Sequence, residues 1–378
     1  MRTNKRLQVF YKDQMVGTLA LTNDKKVAFE YDSRWIKNGF SISPFSLPLK
    51  RQVFLPTKPY FNGLFGVFAD SLPDAWGNIL LDRLLKRNGI RIDQLTVLDR
   101  LAIVGNSGMG ALTYQPEMSI ETEDRKLDLD YLAEECQKIL MTEYAEDLDE
   151  LYRLGGTSGG ARPKILTQID GEEWIIKFPA HVDRENAGQM EYDYAICAGK
   201  CGIVMSETRL FPSKKCPGYF GTKRFDRIHE ENGINKKIHM LTAAALLELD
   251  FEQPSLDYHS LMKLTNILTR NQEMDMENMF RRMCFNVFAH NRDDHSKNFT
   301  YLYDDKADQW RLSPAYDLTY SNTYYGEHTT MIDGNGLDPG KKELLRVGME
   351  AGLNEKRCKK IIDEVKVCIE NELSIYLT

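Results

Sequence analysis

HNRDDHSKNFTYLYDD, residues 290–305, runs on to WRLSPAYDL at 310–318. Just upstream, Met276, Met279, Phe280, Met283 and Val287 recur at helical spacing, so a buried helix over 275–290 ends where this stretch begins. Residues 291–298 then form an exposed loop. Asp293 and Asn298 stand five apart. That is the spacing at which phosphoryl-transfer enzymes place a proton-accepting carboxylate and an amide that holds Mg2+. FTYLY and WRL read as a hairpin around Asp304-Asp305, and such a hairpin returns Asp317 to the loop as a second metal ligand. His295 and Lys297 lie between base and ligand, where a cation neutralises charge growing on a transferred phosphoryl group. A lone DxxxxN reads more simply as a solvated loop; the hairpin and AYDL turn the reading toward chemistry.

Working outward, LGGTSGGARPKIL at 154–166 precedes an extended run, KILTQI, a turn at Asp170-Gly171 and a second strand, EWIIKFPA. Gly159 and Gly160 let backbone N–H groups approach a phosphate closely, and Thr157 or Ser158 adds a hydroxyl. Lys177 sits in WIIKFP among Ile175, Ile176 and Phe178, a strand too apolar for a casual surface charge; a snorkelling lysine is the plainer reading. Glu191, on a helix expected over 185–200, could fix Lys177 as an ion pair. The chain order is glycine loop, strand lysine, helix glutamate, DxxxxN loop, metal aspartate. This is the order of protein kinases and points to an α+β, two-lobed, protein-kinase-like fold with a β-rich N-lobe and a helical C-lobe. GNSGMGAL at 105–112 is also glycine-rich, but no lysine-bearing strand follows closely, so it reads as a turn.

The first 60 residues read as short strands separated by turns at Lys12-Asp13 and Asn23-Asp24. ISPFSLPLKRQVFLPTKPYFN reads as irregular packing. A helix is expected from near Ser71, as cap, to Gly89, with Leu80, Leu81, Leu84 and Leu85 on its buried face. The strongly acidic 118–150 reads as a linker and one or two solvated helices, with the main boundary near 120–130. At 378 residues and a net charge of −7, the chain holds two or three domains and lacks the general basicity of a nucleic-acid binder. MRTNKRLQVFYKDQMVG has no uninterrupted apolar core and no later run is long enough to span a bilayer. Neither a secretory signal nor a membrane partner is expected, and the location expected is cytoplasmic. Seven scattered cysteines without a CxxC pair do not form a disulfide framework. Cys197 and Cys201 fall at i, i+4 on the expected helix, where buried thiols are a simpler reading than a metal site.

At these residues the chain resembles the HipA family of serine/threonine kinases, the toxin halves of HipBA toxin–antitoxin systems. VGTLAL, FEYDSRW, SLPDAWG and GAL resemble the family's accessory domain; GGARPK, IIKFP, KRFDR, DDHSKNF and SPAYDL resemble its kinase core. The division implied is 1–125 as an N-terminal β-rich accessory domain, 126–226 as the kinase N-lobe and 227–378 as the helical C-lobe. The resemblance implies ATP and Mg2+ as cofactors, Asp293 as catalytic base, and His295 and Lys297 at the phosphates. It implies Asn298 and Asp317 as metal ligands, Lys177 on the ATP phosphates, Tyr316 lining the nucleotide site, and Arg224 and Phe225 at the hinge near adenine. In the family a loop serine four residues before the alanine of the GGA-type motif can be autophosphorylated. Thr157 stands there, with Ser158 beside it, so which hydroxyl is modified stays open. Asp294 stands where the family's loops commonly have glycine, adding negative charge beside the base. The implied partners are a protein substrate, such as an aminoacyl-tRNA synthetase or other translation protein, and a small helix-turn-helix antitoxin. DNA would be met only through that antitoxin. A small-molecule phosphotransferase on the same fold would carry the same motif.

Overall fold

The computed structural model describes residues 4–118, 128–230, 235–253, 255–323 and 325–377. Residues 119–127, at the start of the stretch read as a linker and around the boundary expected near 120–130, lie outside the described residues. Residue contacts divide the chain into two compact units: 1–185 with 211–241 and 245–248, and 186–210 with 242–244 and 249–378.

The first unit opens with β1 (Arg6–Tyr11), β2 (Gln14–Leu21) and β3 (Val27–Tyr31), an antiparallel meander. Leu7, Val9 and Tyr11 point alternately into the core, the period-two pattern of a strand with one wet face. With β4 (Val53–Phe54) and β5 (Leu112–Gln115) the sheet order is β4-β3-β2-β1-β5. A Cβ at Gly17 would overlap the Glu30 carbonyl oxygen, so glycine is what lets β2 and β3 close there. The helix expected after Ser71 runs Ala75–Arg87 and buries the four expected leucines. Ser71 does not cap it. Its hydroxyl pairs with Tyr114 Oη at 2.7 Å, and Asp74 takes the N-cap position.

The acidic stretch departs from its expected solvation. Helices Leu129–Leu140 and Leu148–Gly155 bury Leu132, Cys136, Ile139, Leu148 and Leu151 in one cluster with Trp76, Leu80, Ile176 and Tyr219. Carboxylates on the other faces mask that apolar spacing in the sequence. β6 (Lys164–Ile169) and β7 (Glu172–Lys177) form the hairpin read from KILTQI and EWIIK. Asp170 and Gly171 close it with φ of 54° and 84°, the two-residue turn whose twist suits paired strands. β7 pairs in turn with the Tyr219–Lys223 strand.

The second unit is mainly helical. The helix Glu273–Phe288 is its centre: all five expected apolar positions are buried, and it packs against Tyr258–Leu268 and Glu355–Glu372. The hairpin Thr300–Asp304 and Gln309–Leu312 pairs Tyr301 with Leu312 and Tyr303 with Trp310, as its alternation requires. A sheet-rich first part and a helical second part are the α+β class read from the sequence. No helix of the described residues is long and apolar enough to cross a membrane.

Candidate active site

In the first unit the glycine loop leaves the end of the Leu148–Gly155 helix and is tied down by its neighbours. Asp74 accepts from Gly160 N at 2.8 Å, and Trp76 N donates to the Gly160 carbonyl at 3.2 Å. Lys164 reaches back from β6 to donate to the Gly159 carbonyl at 2.6 Å. Gly160 has φ of +85°, which an L side chain adopts only with strain, and a Cβ there would meet Lys164 Nζ. The Thr157 hydroxyl donates to the Ser107 carbonyl at 3.1 Å, whereas Ser158 is buried and donates to the Gly155 carbonyl at 2.7 Å. A backbone amide that already takes a carboxylate oxygen at 2.8 Å has the donor chemistry a phosphate needs.

Lys177 ends β7 directly across from Lys164, on the face opposite Trp174, Ile176 and Phe178. Its Nζ stands 5.6 Å from the centre of the Phe220 ring. Lys164, three residues after Ala161, carries no signal of its own in the sequence; the fold sets it opposite Lys177.

Arg224 is buried, with its donors engaged: Nε and Nη2 reach Asp226 at 2.9 and 2.8 Å, and Nη1 reaches Glu173 at 3.1 Å. Phe225 is half-buried. Burial opposes ionisation of Asp226, but Arg224 and Arg227 outweigh it and hold the carboxyl well below the usual carboxylate range. Asp226 and Arg227 also grip the glycine-rich turn at 105–112. Asp226 accepts from Gly110 N at 2.8 Å, and Arg227 donates to the Gly108 and Gly110 carbonyls at 3.0 and 3.1 Å. The turn is a partner of KRFDR.

In the second unit the loop after Glu273–Phe288 places Asp293 in solvent. The Asn298 amide nitrogen donates to the Asp293 carbonyl at 2.7 Å, leaving the amide oxygen as its donor atom toward a cation. Tyr316 donates to the Lys297 carbonyl and shares its hydroxyl with Thr300, both at 2.5 Å, which holds the 313–318 segment, and Asp317 with it, against the loop. Asn291 Nδ2 lies 3.5 Å from the Asp317 carbonyl, and Asp317 has a left-handed φ of 52°. Lys297 Nζ stands 4.4 Å over the Phe251 ring, and the His295 ring lies 5.7 Å from it. Phe251 thereby gathers the Lys297 ammonium and the His295 ring. His295 Nδ1 is buried and makes no hydrogen bond among the described residues. Glu191 is buried on the helix Ala187–Lys200.

Two buried side chains support this loop, one of them read in the sequence only as extra charge and the other not read at all. Asp294 is fully buried; it accepts from Tyr258 Oη at 2.9 Å, from Thr330 N at 3.0 Å and contacts His328 Nδ1 at 3.2 Å. Burial, then the Asp294 carboxylate, push the Tyr258 phenol well above its ordinary range, so it stays a donor. Arg282, also buried, bonds Asn278 Oδ1 at 3.0 Å and the Ser313 carbonyl. Burial draws its guanidinium down to about 10. It anchors the start of SPAYDL.

Comparison with known proteins adds the following. A family model described as the HipA N-terminal domain matches residues 7–115, and one described as the HipA-like C-terminal domain matches 156–373. Two proteins of Sinorhizobium fredii (strain NBRC 101917 / NGR234) are similar along nearly the whole chain. "Putative kinase Y4mE" is 23% identical, covering 97% of this chain and 91% of its own length. "Putative kinase Y4dM" is 24% identical, covering 98% and 91%. Among solved structures, HipA of Shewanella oneidensis MR-1, in complex with HipB and its operator DNA, superposes with a TM-score of 0.72 at 18% identity. That match covers 98% of this chain and 90% of the other, a likeness of fold.

Proposed function

The chain belongs to the HipA family, and from that premise we propose that it is an ATP- and Mg2+-dependent protein serine/threonine kinase. The observation that carries the reading is the loop of the second unit. An exposed Asp293 is tied through its own carbonyl to Asn298, and Tyr316 holds the segment of Asp317 against the same loop. Asp293 takes the proton from the acceptor hydroxyl. Asn298 and Asp317 supply hard oxygen donors, the set that suits Mg2+. Lys297 places positive charge where the transferred group gains negative charge, and the His295 ring lies beside it as a second contact to the phosphates. In the first unit Lys177 binds phosphate oxygens beside the glycine loop of Gly159 and Gly160, where the Gly160 amide turns to phosphate on leaving Asp74. Arg224 and Phe225 act beside the base of the nucleotide. Bound Mg2+-ATP supplies the phosphoryl group and the metal charge.

The acceptors are serine or threonine hydroxyls of a protein, with a translation protein such as an aminoacyl-tRNA synthetase as the expected class. The solved relative is held with HipB and operator DNA. By analogy a small helix-turn-helix antitoxin is the expected partner here, with DNA reached through it. Thr157 is the loop acceptor in this proposal, because Ser158 is buried with its hydroxyl spent on Gly155.

The test is transfer of labelled γ-phosphate by the full chain to proteins of a cell lysate. Asp293→Ala should cut transfer by about 10²–10⁴-fold, the span of a lost general base. A loss below tenfold overturns the role. Label confined to small molecules favours the small-molecule phosphotransferase instead.

A further inference from the structure

The helix Ala187–Lys200 ends at Cys201, and Cys197 and Cys201 share one face of its last turn. The helix Glu355–Glu372 packs against it and brings Cys368 to the same place. The three Sγ atoms all lie within 4.8 Å of one another. Cys197 and Cys201 are buried, and Cys368 is half-buried, so the cluster has one side toward solvent. We propose that these three thiols are a Zn2+ site that joins the two helices, with water in the fourth position.

The distances fit with small closure. Zn–S bonds of about 2.3 Å in a tetrahedron put sulfurs about 3.8 Å apart, a contraction that rotation about each Cα–Cβ bond supplies. Two of the thiols make long contacts elsewhere: Cys201 Sγ is 4.0 Å from the Val365 carbonyl, and Cys368 Sγ is 4.0 Å from the Cys197 carbonyl. Little hydrogen bonding is therefore lost when either of them gives up its proton. Three thiolates and one Zn2+ leave a net charge of −1, and the released protons pass to buffer. Ion pairs flank the site. Lys200 lies one turn beyond Cys197, paired with Glu372 at 2.6 Å, and Arg281 donates to the Cys201 carbonyl at 2.8 Å. The donor set selects the metal class: three soft sulfurs suit Zn2+ and exclude Mg2+ or Ca2+. Packed thiols alone would account for burial, but not for three sulfurs converging from two helices on a common open side. The site stands apart from the kinase reading and is tested without an activity assay.

The full chain, purified under reducing conditions and gel-filtered after loading with zinc, should retain one zinc per chain. Cys368→Ser and Cys197→Ser should lose it, while Cys216→Ser, a thiol of the other unit, should keep it. Co2+ in place of zinc should give the intense near-ultraviolet band of thiolate-to-metal charge transfer. Should a serine variant fail to fold, alkylation of the native chain still decides: zinc should protect Cys368 from a maleimide. A native chain that retains no zinc, equal loss in Cys216→Ser, or equal alkylation of Cys368 with and without zinc overturns the site.

Discussion

Asp293 and Asp294 are neighbours with opposite surroundings, and the difference lets their roles be separated. Asp293 is exposed, while Asp294 receives Tyr258 Oη and Thr330 N in the interior. Truncating Asp294 leaves those two donors buried without an acceptor, each costing about 1–3 kcal/mol. Asp294→Ala is therefore expected to destabilise the chain by about 3–5 kcal/mol in urea denaturation. Asp293→Ala, at an exposed position, is expected to shift stability by about 0.5 kcal/mol or less. Equal urea midpoints for the two variants would sink the assignment of Asp294 as the loop's anchor. In the sequence Asp294 read as extra charge beside the base. One-dimensional spacing cannot tell which of two adjacent carboxylates turns inward, because the donors that draw it in, Tyr258 and Thr330, lie 36 residues away on either side.

At the level of elements, the glycine loop is held by a helix that precedes it by some eighty residues. The carboxylate of Asp74, at the N-cap of Ala75–Arg87, is spent on Gly160 N. A hydrogen bond from a backbone amide to a charged acceptor contributes about 1.5–3 kcal/mol. Asp74→Ala should therefore speed hydrogen exchange at Gly160 by about 10–100-fold, with the β1–β2 hairpin unchanged. Unaltered exchange at Gly160 would mean that Lys164 and Trp76 suffice. This clamp also marks the limit of what the sequence disclosed. Elements with strong local signals were legible: the 164–177 hairpin from its Asp-Gly turn, the Glu273–Phe288 helix from its methionines, and the loop that follows it from the end of that helical pattern. Contacts between distant segments were not. Ser71 has the chemistry of a cap but bonds Tyr114, and GNSGMGAL read as an isolated turn though Asp226 and Arg227 hold its backbone. The acidic helices hid their apolar stripe behind their charge.

At the scale of the whole molecule, stability depends on pH through groups that folding forces into one protonation state. His239 is buried in the first unit, its Nε2 is 2.8 Å from the Ile42 carbonyl, and the rings of Tyr11 and Phe40 lie against it. Burial draws it down from 6.5 to about 4, outweighing the Ile42 carbonyl, which favours the charged form. A histidine depressed in the folded state binds its proton more readily when unfolded. Its contribution is intact above about pH 6.5 and is lost as pH falls toward 4. Between pH 7 and 4.5 the loss amounts to about 2–3 kcal/mol. Asp226, held low by Arg224 and Arg227, acts in a separate window: its contribution is present above its ordinary value of 3.8 and is lost only below it. Trp35, Trp76 and Trp174 are buried in the same unit and report its unfolding by fluorescence. The urea midpoint of the native chain should fall more steeply from pH 7 to 4.5 than that of His239→Gln, which keeps a polar donor but cannot titrate. The difference should correspond to about 2–3 kcal/mol, and parallel pH profiles would show that protonation of His239 is not what acid must overcome.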